Sequence, residues 1–228
     1  MALFAAAGLV LSMAGLAPAK AGSKAESKPE PRPIRLVALG DSLTAGYQLP
    51  AASAFPAVLE RALAAKGTGT GTGPGRTVTV ANAGVSGETA TNGLDRVDWS
   101  VPDGTDGVIL ELGANDMLRG TDPAVTRKAL EAIVVRLKDR GIPVLLAGMR
   151  ASTNLGPDYV ARFDAIYPDL ARKYDLVLYP FFMAGMVGDR AYTLDDGLHP
   201  NAKGVDVIVA GILPSVETFL GRLQPAAH

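Results

Sequence analysis

The 228 residues contain no cysteine. Disulfides, thiolate catalysis and Cys-ligated zinc are thereby excluded. Histidine is almost as scarce: only His199 and His228 occur, so a multi-histidine metal site has too few residues to draw on. Imidazole chemistry falls to His199. Net charge is also nearly absent, with 22 basic against 23 acidic side chains, which leaves no electrostatic footprint for a nucleic-acid partner. The apolar stretch at 4–17, FAAAGLVLSMAGLA, is short for a bilayer span, which takes about 20 residues. With Ala19 and Ala21 flanking Lys20 behind it, residues 1–21 read as a secretory signal cleaved near Ala21, a retained single anchor being the alternative. Residues 22–33, GSKAESKPEPRP, are polar and proline-rich and read as a disordered linker. A secreted, periplasmic protein without stable membrane insertion after cleavage is the resulting expectation.

Residues 34–228 are enough for one sizeable core, and nothing in the composition demands a second domain. Strands are predicted at IRLVAL (34–39), TVTVAN (77–82), GVILELG (107–113), IPVLLAG (142–148) and DLVLYP (175–180). The third is a continuous apolar run, as a strand buried on both faces requires. Helices are predicted between them. SAFPAVLERALAAKG is capped by Ser53 and stopped at Gly67, and ETATNGLDRVDW follows the second strand. Asp122-Pro123 opens a long helix that closes at Gly141. GPDYVARFDAIYPDLARKY is mostly helical, and a last helix runs from about Pro200 towards Leu223. The run GTGTGTGPG (67–75) follows a helix and lacks a P-loop lysine, so it reads as a surface connection rather than a phosphate cradle.

This alternation predicts an α/β fold: a single three-layer αβα domain around a five-stranded parallel sheet with right-handed crossovers. Such sheets hold their sites outside the carboxyl ends of the strands. Four polar clusters fall on that edge: Gly40-Asp41-Ser42, Asn82 to Glu88, Gly113 to Asp116, and Asp195 to His199.

ALGDSLTAGY (38–47) ends the first strand on an acid and a hydroxyl, which suits an ordinary turn, a phosphate site or a nucleophile. A serine hydroxyl attacks effectively only with a base beside it, and His199 in DDGLHPN is the imidazole available. Asp196 precedes it by three residues, with Gly197 allowing a tight turn that folds the carboxylate back onto the ring. His199 also precedes Pro200, so a helix-capping role is the plainer alternative. Gly87 in NAGVSGET can bring an unobstructed N–H to a ligand. Asn115 in LGAND puts an amide at the end of the central buried strand, where it costs free energy unless partnered. Each alone reads as a turn residue; together they supply the donors that an acyl-transfer site needs.

GDSLTAGY, NAGVSGET, ELGANDMLRG and DGLHPN, in this order and approximate spacing, resemble the SGNH (GDSL-type) hydrolases. Within that family they resemble the bacterial thioesterase I/protease I/lysophospholipase L1, or arylesterase, group. The resemblance spans Leu36 to about Leu223 and implies the flavodoxin-like SGNH hydrolase fold. It implies Ser42 as nucleophile, Asp196 and His199 as the rest of the triad, and an oxyanion hole of the Ser42 and Gly87 N–H groups with the Asn115 amide. No metal and no organic cofactor is implied. Asp41 then orients the serine turn and Asp116 braces Asn115, while Asp195 is structural and Glu88 begins a helix. Arg150 matches a position near the family's substrate cleft. Leu43, Met117, Leu118, Leu155 and Phe182 are candidates for an acyl groove, or equally for core or rim. ASTNLG after Arg150 is less apolar than lysophospholipase-like relatives lead one to expect, which bears on acyl preference rather than on reaction type.

The expectation is a serine esterase or thioesterase for carboxylic esters with acyl or aryl groups, lysophospholipids among them, working through an acyl-enzyme. Its partner would be a small-molecule or lipid acyl ester, with no nucleic acid. A carbohydrate O-deacetylase acting on envelope polysaccharide is one alternative. A ligand-binding protein that kept the fold without catalysis is another. The G-x-S-x-G elbow of the α/β-hydrolases is absent around Ser42.

Overall fold

The computed structural model describes residues 1–2, 32–67 and 77–223. The predicted signal segment beyond residue 2, the linker up to residue 31 and most of the Gly-Thr run lie outside the described residues. Arg32 was assigned to the linker, but its guanidinium donates two hydrogen bonds of 2.7 Å to Asp106. Contacts to the domain therefore reach at least two residues before Ile34.

The strands are β1 (Ile34–Gly40), β2 (Val78–Gly84), β3 (Gly107–Glu111), β4 (Val144–Ala147) and β5 (Val177–Tyr179). All pair in parallel, in the order β2-β1-β3-β4-β5. Parallel neighbours need long crossovers, which the helices provide. These are α1 (Ser42–Ala45), α2 (Phe55–Ala65), α3 (Ala90–Ser100), α4 (Ala114–Leu118), α5 (Pro123–Asp139), α6 (Pro157–Asp164), α7 (Ile166–Tyr174) and α8 (Ala202–Arg222). α2 packs on α8, while α3 and α7 pack on α5, which gives the two helical layers. Every residue of β3 and β4 is buried, as strands covered on both faces require. Leu39, Phe55, Ile109, Leu145 and Ile212 are fully buried at the centre of this core. Each such side chain contributes about 1.5–3 kcal/mol by leaving water. α8 is long and apolar enough to cross a membrane by length and composition, yet half of it is buried, with Ile208, Ile212, Val216 and Phe219 turned into the core.

Several local expectations change. Ser53 does not cap α2; it closes a short 3-10 turn, and α2 begins behind Ala54 without a side-chain cap. The mostly helical stretch at 156–174 is two helices, parted at Ala165. Pro168 explains the break, since it lacks an N–H and its ring crowds the carbonyl of Asp164 four residues earlier. Glu88 does not begin a helix. Thr89 is the N-cap of α3, in a reciprocal capping box with Asn92.

β1 neighbours β2 on one side and β3 on the other, so the chain leaves β1 and β3 in opposite directions. The register sets Gly40 level with both Gly84 and Glu111. A crevice outside these ends is the topological switch point, where open α/β sheets place ligands.

Candidate active site

Ser42 is the first residue of α1, delivered by the end of β1. Asp41 is the N-cap of α1, and its Oδ1 accepts the Leu43 N–H at 3.0 Å. Ser42 Oγ lies 2.9 Å from His199 Nε2 although 157 positions separate them in the chain. His199 Nδ1 lies 2.6 Å from Asp196 Oδ2. The other Asp196 oxygen accepts the backbone N–H groups of Leu198 at 2.8 Å and His199 at 3.0 Å. Gly197 makes this turn with a φ of +71°, the left-handed region that favours glycine. The helix-capping alternative for His199 is removed, because Asn201 caps α8 by accepting the Gly204 N–H.

The donors expected of an oxyanion site sit around the same turn. Neither the Ser42 nor the Gly87 N–H donates to an acceptor among the described residues. Gly87 has a φ of +85°, and a Cβ there would meet nothing within 4 Å, so glycine is needed for its backbone angle rather than for space. Asn115 is in α4 rather than at a strand end, since β3 stops at Glu111. Its Nδ2 donates to Asp41 Oδ2 at 3.1 Å and to the Glu88 carbonyl at 3.0 Å, joining the serine turn to the Gly87 loop. Asp116 does not touch that amide. It accepts the Ala90 N–H at 2.8 Å and the Thr126 hydroxyl at 3.0 Å, fastening α3 and α5 to α4.

Charge is distributed unevenly. Burial pushes the Asp41 carboxyl up to about 6, against hydrogen bonds from Leu43 and Asn115 that favour its ionised form. Glu111, fully buried beneath the turn, accepts the Thr44 hydroxyl at 2.7 Å. Burial, then the neighbouring Asp41 charge, raise its carboxyl well above the ordinary range. Asp196 goes the other way. Partial burial works to raise it, but hydrogen bonds from the His199 ring and from two backbone N–H groups outweigh that and bring it to about 2. Asp196 is therefore ionised near neutral pH. Among the described residues no three His, Asp or Glu side chains converge as a metal site.

An apolar cavity of about 410 Å³ adjoins the histidine loop, lined by Met117, Leu118, Met149, Arg150, Phe181 and Leu198 among others. Met117, Leu118 and Arg150 were expected there. Leu43 is buried in the core, Leu155 belongs to a 3-10 turn outside the lining, and Phe182 is fully buried with its ring edge-on to Phe55. The sequence reading missed Tyr47, whose ring centroid is 4.4 Å from that of His199. Its signal was position, five residues beyond Ser42 and just past the left-handed Gly46.

A family model described as the GDSL-like Lipase/Acylhydrolase family matches residues 38–207, which include Ser42, Asp196 and His199. The chain belongs to this family. It is similar to the arylesterase of Vibrio mimicus, at 40% identity over 170 residues covering 74% of this chain and 81% of that protein. It is also similar to thioesterase 1/protease 1/lysophospholipase L1 of Escherichia coli (strain K12), at 38% identity over 167 residues, 73% of this chain and 75% of that one. Among solved structures it resembles AlinE4, an SGNH-hydrolase family esterase, with a TM-score of 0.67 and 42% identity over 85% of this chain and 99% of that one. As a GDSL-like hydrolase, the chain is an ester-hydrolysing enzyme with the α/β fold of that family.

Proposed function

We propose that Ser42 is the nucleophile of an esterase and thioesterase that works through an acyl-enzyme. His199 Nε2 takes the Ser42 proton as Oγ attacks the ester carbonyl, and Asp196 holds the ring and stabilises the imidazolium. The Ser42 and Gly87 N–H groups and the Asn115 amide bind the oxyanion. Both Asn115 amide hydrogens bond Asp41 and Glu88, so serving the oxyanion requires one of them to be shared with it. Collapse expels the alcohol or thiol, which takes the proton from His199. Water activated by the same imidazole then releases the acid.

The observation that carries this reading is the unbroken line from Asp196 through His199 to Ser42, with contacts of 2.6 and 2.9 Å. The apolar cavity beside it suits an acyl chain or aryl ring better than an acetylated sugar. It supports aryl esters, acyl thioesters and lysophospholipids as the substrate class. The apolar segment 4–17 with Ala19 and Ala21 supports export to the periplasm, and sequencing the mature N-terminus tests it. For the chemistry, Ser42→Ala should abolish hydrolysis across a graded ester and thioester panel at an unchanged Tm. Wild-type turnover by that variant would overturn the assignment.

A further inference from the structure

Arg96 is 4% exposed, on the inward stripe of α3 with Ala90, Gly93 and Val97. Its Nε donates to Glu88 Oε2 at 2.5 Å, one Nη donates to the Ser100 hydroxyl at 2.9 Å, and the other donates to the Gly40 carbonyl at 2.9 Å. Gly40 stands two residues before Ser42, and Glu88 directly follows Gly87. One guanidinium therefore ties together the two chain segments whose backbone N–H groups face no acceptor. The Glu88 carbonyl and Asp41 also share the Asn115 amide, so all three donor segments meet at this junction.

A buried ion pair is a poor source of net stability, because desolvating both charges offsets their attraction. An apolar side chain in the same stripe would stabilise α3 as well. What the guanidinium adds is geometry: a planar fork with several fixed donors reaches two segments at once, which neither lysine nor an apolar residue can do.

We propose that Arg96 is a positioning residue that holds the Ser42 turn and the Gly87–Glu88 loop at one separation, so that their N–H groups converge on a single oxyanion. The inference rests on the oxyanion assignment made above. It makes Glu88 a partner of Arg96 in this task. Asp196 and His199 are untouched, since they are carried by the 193–200 loop.

The test is Arg96→Lys, with Glu88→Gln as a second variant that keeps the shape and leaves Arg96 without its counter-charge. Active sites are counted by fluorophosphonate labelling of Ser42, and kcat and KM for a p-nitrophenyl ester are expressed per labelled site. A donor misplaced by about 1 Å costs up to roughly a hundredfold, so kcat for Arg96→Lys should fall about ten- to a hundredfold and for Glu88→Gln roughly threefold or more. KM should stay within about twofold and the shape of the pH–rate profile should not change, because the acid–base pair is intact. Wild-type kcat per labelled site in either variant, even with a lowered Tm, would reduce Arg96 to a structural role and overturn the proposal. Failure of the wild-type enzyme to label at Ser42 would instead overturn the oxyanion-and-nucleophile reading itself. The wild-type control therefore separates the two failures.

Discussion

Replacing Asp196 by Asn tests the site most directly, because the amide matches the carboxylate in shape but not in hydrogen-bonding capacity. Asp196 uses both oxygens: Oδ2 faces His199 Nδ1, and Oδ1 accepts two backbone N–H groups. Asn has one acceptor and one donor. If its oxygen keeps the backbone pair, its NH2 faces Nδ1 and forces the proton onto Nε2, the nitrogen that must accept from Ser42. If it flips, the NH2 confronts two backbone donors. The loop is half-exposed, so water offsets part of that conflict, and about 1–2 kcal/mol covers either outcome. Losing the carboxylate opposite the imidazolium adds about 2–3 kcal/mol, the usual size for a hydrogen bond to a charged partner. The sum of about 3–5 kcal/mol corresponds to a fall in kcat of roughly 150- to 5,000-fold. The assay is p-nitrophenyl ester hydrolysis per folded molecule, with ¹⁵N spectra of the His199 ring to read the tautomer. Tm should fall by no more than several degrees. The spectra show which of the two orientations the amide takes; activity within tenfold of wild type in either would refute this account.

The remaining expectations concern neighbours of Ser42 and His199. Asp41, held at about 6, and Glu111, raised well above the ordinary carboxylate range by burial and the neighbouring Asp41 charge, bind protons more tightly in the folded than in the unfolded chain. Stability they contribute is present at low pH and is lost as pH rises through their folded values. Through Asp41, Tm should thus fall between about pH 5 and 7 by calorimetry, and Asp41→Asn should flatten the slope; a rise over that window would contradict it. Asp196 acts oppositely, but only as pH falls towards about 2. Tyr47→Phe should keep kcat within twofold, while Tyr47→Ala should lower it by about two- to fivefold, the scale of an exposed cation–π contact. Equal effects in both variants would point to the hydroxyl instead.

What could be read in the chain was mostly what is local in it. Asp196 and His199 lie three apart, so their contact depends on one turn that Gly197 makes. The Asp122-Pro123 helix start was likewise readable, because its cap and first residue are adjacent and Asp122 accepts the Ala124 N–H. Errors arose where a partner is distant. Asp116 was assigned to its neighbour Asn115, but its acceptors face Ala90 and Thr126. Glu88 was given a helix dipole, but Arg96 one stripe along α3 takes its charge. Leu43 was open between groove, core and rim, and packing puts it in the core.

The sequence by itself determined the strand–helix alternation, the single usable imidazole and the order of the four motifs. These follow from periodicity, composition and neighbouring residues. Only the tertiary structure decided that β1 lies between β2 and β3, which brings Ser42, Gly87 and Asn115 to one crevice. It alone set Tyr47 against the imidazole and Arg96 beneath both donor loops. Strand register and helix packing bring together residues tens of positions apart. A hydrogen bond formed that way leaves no mark on either residue's own neighbourhood in the chain.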